Sequence, residues 1–264
     1  MKSNSRYLGA LLIAPFIIFI FLGGMPLKIF TFILSILGMF EFYKATRVKH
    51  FKPISIVGYV LLILYYIFNN DFNILFNLLV IATLIVLIVP VINLKVTFID
   101  SAISVLGFLY VGVFLSFLPM ISDKASGNFY IWLVFIGAWV TDTCAYYSGK
   151  FFGKHKLCPK VSPKKTIEGS IGGIIGTSII CGVYGLIASN FADVMAVYHF
   201  VIIGFICGIL SQFGDLVASS IKRYAGIKDY SNLIPGHGGI LDRFDSILFT
   251  NIVVYYYLTF IMKL

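Results

Sequence analysis

Residues 131–150 read IWLVFIGAWVTDTCAYYSGK, an apolar run of membrane-crossing length that contains one acid, Asp142. A helix needs about 20 apolar residues to cross a hydrocarbon core of about 30 Å. A carboxylate inside such a helix is costly unless it is partnered, so it marks a functional position by default. On a helix Asp142, Tyr146 and Lys150 fall at i, i+4 and i+8, a polar stripe leading to one end. The plainer alternative is an acid satisfied by a neighbouring helix.

Runs of this kind recur along the chain. Of its 264 residues 59% are hydrophobic and 12% charged, half the charge of an average soluble domain at about 25%. Lipid is therefore the solvent for most of the surface. Only helices or closed barrels cross a bilayer, and these runs are too long for barrel strands. Nine spans are expected, at 6–23, 28–43, 53–69, 73–92, 97–118, 129–149, 169–189, 197–220 and 246–262. The second is the weakest, and a re-entrant hairpin is its alternative. The expected fold is all-α, a polytopic integral membrane protein with its active site at the cytoplasmic face. Lys2 and Arg6 before an apolar run imitate a secretory signal, but no A-x-A cleavage pattern follows, so a first span is expected.

Orientation follows from the basic residues. With the N-terminus cytoplasmic, 17 of the 20 Lys and Arg lie inside, and only Lys28, Lys124 and Lys263 lie outside. The net charge of +9 is interleaved with spans, which favours phosphate substrates and anionic membrane lipid over nucleic acid as partners. Cys144, Cys158, Cys181 and Cys207 form no CxxC pair and read as small apolar residues.

The chain divides in character. Residues 1–128 hold about five plain spans, and 129–264 hold about four spans that carry acids, with two long inside loops. Ser211, Asp215, Ser219 and Lys222 recur along one helix face; a purely structural pair of Asp215 with Lys222 or Arg223 is the alternative. Residues 222–245 then gather Lys222, Arg223, Lys228, Asp229, His237, Gly238, Gly239, Asp242, Arg243 and Asp245. Glycines there expose backbone N–H groups that suit phosphate, beside a helix whose positive end begins near Leu241. Asp242 and Asp245 share a face and, with Asp215, offer oxygen ligands to a hard cation. In the other loop Ser162, Lys165, Thr166 and Glu168 stand before a helix as phosphate contacts, with topological anchoring as the alternative for the lysines. His237 suits orienting a phosphate, donating a proton or structuring its loop.

The run Ser219, Ile221, Lys222, Arg223, Lys228, Asp229, Ser231, continuing Pro235, His237, Gly238, Gly239, Ile240, Asp242, Arg243, Phe244, Asp245, resembles the signature of phosphatidate cytidylyltransferases (CDP-diacylglycerol synthases). It departs only by one position of slack around Leu233 and Ile234. The segment from Asp142-Thr143 through Ser162-Pro163-Lys164-Lys165-Thr166 to Glu168-Gly169 is similar to the family's second characteristic region. The resemblance covers about 110 residues of the C-terminal half; the first five spans match only as generic apolar helices. It implies a Mg²⁺-dependent and dimeric membrane enzyme acting on CTP and phosphatidic acid. Asp215 and Asp242 take the metal positions, and Asp142 and Asp245 are partners in the inner or outer shell of ligands. Lys165, Lys222, Lys228 and Arg243 would contact phosphates. The chemistry needs no catalytic Ser or Cys, because a phosphatidate oxygen is already anionic; the barrier is charge, which metals and Lys/Arg lower.

Three rivals remain open to test. A prenyltransferase would want two acid clusters around one diphosphate, and only Asp242-x-x-Asp245 is clustered. A CTP-using lipid kinase differs in releasing CDP. A transporter would place Asp142 and Asp215 at the midplane between inverted repeats, whereas here both lead to loops.

Overall fold

The computed structural model describes residues 16–234 and 238–264. Its helices are α1 (Gly24–Arg47), α2 (Ser55–Ile67), α3 (Phe72–Ile92), α4 (Phe98–Ser122), α5 (Gly127–Phe152), α6 (Ile167–Ala188), α7 (Val197–Ala225) and α8 (Leu241–Ile261). Two short antiparallel strands, β1 (Lys156–Cys158) and β2 (Ser162–Thr166), join α5 to α6.

Seven of these helices are long and apolar enough to cross a bilayer, and they answer seven of the nine expected spans. The 53–69 span becomes the 13-residue α2, which rises about 20 Å at 1.5 Å per residue. It is shorter than the seven, and Lys28 Nζ near the start of α1 reaches Asn69 Oδ1 just past α2 at 2.8 Å. The 6–23 span lies outside the described residues except for 16–23, of which 16–22 are helical. There Phe19 stacks on Phe30 with centroids 4.4 Å apart, so the chain doubles back at Gly23 and Gly24, both at positive φ. The weakest expected span is a continuous 24-residue helix, α1.

Local chemistry sets the helix ends. Asp71 caps α3 by accepting from Asn73 N at 2.6 Å, and Thr97 with Asp100 forms a capping box on α4. Thr166 accepts from Gly169 N at 3.1 Å to start α6, and Gly226, in the left-handed region, ends α7.

In the C-terminal half α5 packs along α6, α6 along α7 and α7 along α8. Small residues allow the approach. A Cβ on Gly208 would sit 2.8 Å from the Ile174 Cα, and Thr141 and Thr177 hydroxyls meet at 2.7 Å between α5 and α6. Outside this core Ile171, Ile175, Ile179 and Leu186 of α6 face outward, as a lipid-exposed helix requires.

Connections alternate between two ends. At one, Lys124 Nζ donates to the Leu264 carbonyl (2.7 Å) and Ser126 Oγ to the Asp193 carbonyl (2.9 Å). At the other, Lys52 N donates to Asp100 Oδ1 (2.6 Å), Lys165 pairs with Asp215, and Ser231 reaches Glu41. The acid-rich loops therefore share one end of the bundle, and all the signature residues described gather there.

Candidate active site

The β1–β2 hairpin folds over the polar ends of α5, α6 and α7 and closes a cleft of about 300 Å³. Asp142 and Lys150 of α5, Lys164 and Lys165 of β2, and Gln212 of α7 face it. At its edge Lys165 Nζ lies 2.5 Å from Asp215 Oδ2, and Ser219 Oγ donates to Asp215 Oδ1 at 3.2 Å. Gln212 Nε2 donates to the Gly208 and Ser170 carbonyls, at 2.8 and 3.2 Å, tying α7 to α6 beneath the cleft.

A second layer builds the signature loop. Asp242, in the first turn of α8, accepts from Lys222 Nζ through Oδ1 (2.7 Å), and from Tyr230 N (2.8 Å) and Gly239 N (2.9 Å) through Oδ2. One carboxylate thus joins α7, the loop and α8. The pair is well shielded, with side-chain exposures of 11% for Lys222 and 2% for Asp242, so each needs the other. Tyr230 is buried against this layer, its hydroxyl donating to the Ala218 carbonyl at 3.2 Å; burial pushes its phenol well above the usual range, and the nearby carboxylates add to it.

The third contributor comes from the half expected to be generic. Glu41 of α1 is 2% exposed and accepts from Ser231 Oγ (2.6 Å), Ile240 N (3.0 Å) and Leu241 N (2.9 Å). It supplies the acceptor for otherwise orphan N–H groups at the start of α8. Gly239 is required here, because a Cβ would run into the Glu41 carboxylate. The sequence carried a signal, a lone acid within an apolar run (Phe40-Glu41-Phe42), and the intramembrane-acid rule applied to it as much as to Asp142. Tyr110 was also unanticipated. It sits in a π-helical stretch of α4, Phe108–Val113, with its hydroxyl buried and without a partner among the described residues, within electrostatic reach of Asp215 and Asp245.

The structure therefore brings together Asp142, Lys165, Thr166, Asp215, Ser219, Lys222, Gly239, Asp242 and Asp245, the last within the fields of Asp215, Lys222 and Asp142. Arg243 is solvent-exposed and within reach of Asp142. Glu168 is turned away from the cleft. Its carboxylate accepts from Lys154 N (3.0 Å), His155 N (3.2 Å) and His155 Nδ1 (2.6 Å), clipping the hairpin to α6. Ser162 pairs with Cys158 across the hairpin and does not line the cleft. Arg223, Lys228 and Asp229 are exposed and make no side-chain hydrogen bond or ion pair among the described residues. Gly238, at φ 85°, turns the loop back so that Ile234 N bonds its carbonyl at 2.9 Å; His237 lies outside the described residues.

As to a metal, the donor chemistry suits a hard cation, since Asp142, Asp215 and Asp245 share one field. Asp215 and Asp242 each already balance a lysine ammonium. Among the described residues, however, no three acidic, His or Cys side chains are gathered as a preformed ligand set.

Seven helices of membrane-crossing length, with a cleft of lysines and carboxylates at one end, define a polytopic membrane protein. The chain belongs to the cytidylyltransferase family, which it matches over residues 4–261, and is thus a nucleotidyltransferase. It is 35% identical over 234 residues to a protein of Staphylococcus saprophyticus subsp. saprophyticus named phosphatidate cytidylyltransferase, covering 86% of this chain and 87% of that one. Proteins of the same name from Staphylococcus haemolyticus (36% over 239 residues, 89% and 90% covered) and Staphylococcus aureus (36% over 233 residues, 86% and 87% covered) are similarly related.

Proposed function

We propose that this chain joins CTP and phosphatidate to form CDP-diacylglycerol and diphosphate, with Mg²⁺. The observation that carries the reading is the cleft itself, a site with Lys150, Lys164 and Lys165 around Asp142 and the Lys165–Asp215 pair, set at the polar end of apolar helices. A water-soluble nucleotide and a lipid phosphate can meet there while acyl chains stay in hydrocarbon. The relatives' name supports the same substrates.

In the proposed step a phosphatidate oxygen forms a bond to the α-phosphorus of CTP, and the bond from that phosphorus to the bridging oxygen breaks, releasing diphosphate. Lys165, Lys150 and Lys164 hold phosphates close together by offsetting their mutual repulsion. Asp215 orients Lys165. Lys222, fixed by Asp242, presents its charge beside the signature loop, and Arg243 contacts the nucleotide's phosphates. Asp215 and Asp242, with Asp142 and Asp245 beside them, would hold Mg²⁺, which would neutralise charge on the departing diphosphate. The cation asymmetry supports a cytoplasmic setting for this end, and a homodimer is proposed on the family resemblance alone.

The test is diphosphate release by protein purified in detergent. Release that needs CTP, phosphatidate and Mg²⁺ together supports the reading. No release from folded protein overturns it, and CDP release instead marks a lipid kinase.

A further inference from the structure

A second basic cavity, of about 470 Å³, opens at the same end of the bundle on another face of α1. Phe40, Tyr43, Lys44 and Arg47 line it from α1, and Ser55 and Tyr59 from α2. Positions 40, 43, 44 and 47 recur at helical spacing, so these side chains share one face, about a third of a turn from Glu41. Among the described residues the lining is one-sided in charge, with two cations, two phenols and a serine but no carboxylate. Among the described residues neither Lys44 nor Arg47 has an ion-pair partner. Arg47 spends one N–H on Ser55 Oγ at 3.2 Å and keeps the rest of its fork. Tyr43 is fixed as a wall by its hydroxyl, which donates to the Ser104 carbonyl at 2.6 Å. The first turn of α2 adds positive field from the same side, since no side chain caps it.

Donors without acceptors, in a cavity of this size, suit a phosphate. Its place decides the carrier. Arg47 stands at the polar end of α1, and Phe40, two turns deeper, is 57% exposed on the apolar surface. A ligand with its phosphate between Lys44 and Arg47 therefore has hydrocarbon directly along Phe40. We infer that this cavity binds the phosphate of an anionic phospholipid, at a site separate from the reaction cleft.

The experiment uses the full chain in mixed micelles of phosphatidylglycerol and phosphatidylcholine, with retained lipid counted by native mass spectrometry. Phosphatidate is avoided as the probe because the cleft is proposed to take it. The expected result is one retained phosphatidylglycerol in the unaltered protein, held about tenfold less well by the Lys44→Gln/Arg47→Gln variant, as loss of one or two charge-assisted contacts requires. Turnover at saturating substrate, and the single variant Arg47→Gln, show that the altered protein is folded. Equal retention by variant and unaltered protein, or equal retention of phosphatidylcholine, overturns the site. Displacement of the lipid by millimolar inorganic phosphate overturns the lipid assignment in favour of a soluble anion.

Discussion

Replacing Glu41 with Ala tests the clamp between the two halves of the chain. The carboxylate is the acceptor for Ser231 Oγ, Ile240 N and Leu241 N. The serine hydroxyl can rotate to another partner, but the two backbone N–H groups cannot without unwinding the start of α8. A buried donor left unpaired costs about 1–3 kcal/mol, so the two together cost roughly 2–6 kcal/mol, a large part of a stability of about 5–15 kcal/mol. Fraying the first turn of α8 moves Asp242, and with it Lys222 and the loop that both hold. Thermal unfolding in detergent should show a lowered midpoint, and turnover should fall at least about tenfold, since each 1.36 kcal/mol of lost organisation is a factor of ten. Glu41→Gln should fall between, because its amide keeps one acceptor oxygen and turns a donor toward a donor. An Ala variant with unchanged midpoint and turnover would refute the clamp.

Other perturbations follow from the same contacts. Gly239→Ala should mimic the loss of Glu41, because the added Cβ meets that carboxylate; assayed in the Glu41→Ala background it should cost less, and additive losses would count against a shared cause. Asp215→Asn frees Lys165 from a pair that is only 24% and 29% exposed, and turnover should fall about 10²-fold or more while the unfolding midpoint changes little. Lys222→Met leaves Asp242 buried without its cation, which should cost about 3–5 kcal/mol, read as a lowered midpoint. Chelation with EDTA should abolish turnover and excess Mg²⁺ restore it; full activity in EDTA would remove the metal from the proposal.

The membrane class was legible because composition and run length are averages over many residues, which no single contact can overturn. The ends of α3 and α4 lie within a few residues of the bounds set by apolar run length, and Asp71 and Thr97 cap their starts through local contacts that run length does not use. The clamp was not. Glu41 meets its partners 190 to 200 positions away, and no local periodicity encodes that encounter. The β1–β2 hairpin escaped for another reason, being two strands of three and five residues containing Pro163 and three lysines, with no alternation of apolar and polar residues. Glu168 shows the limit of reading charge by neighbourhood. It stands among phosphate-binding candidates, yet three donors from Lys154 and His155 consume it. Asp142, which lines the cleft, and Asp215, at its edge through Lys165, do come within each other's electrostatic reach.

The most direct measurement supplies CTP radiolabelled at the α-phosphorus, together with unlabelled phosphatidate, to the purified chain and extracts the lipid. Label is expected in the organic phase, dependent on phosphatidate and lost in Asp215→Asn, and none is expected when the label sits at the γ-phosphorus. Label entering lipid from the γ position alone would contradict cytidylyl transfer and assign the cleft to phosphoryl transfer.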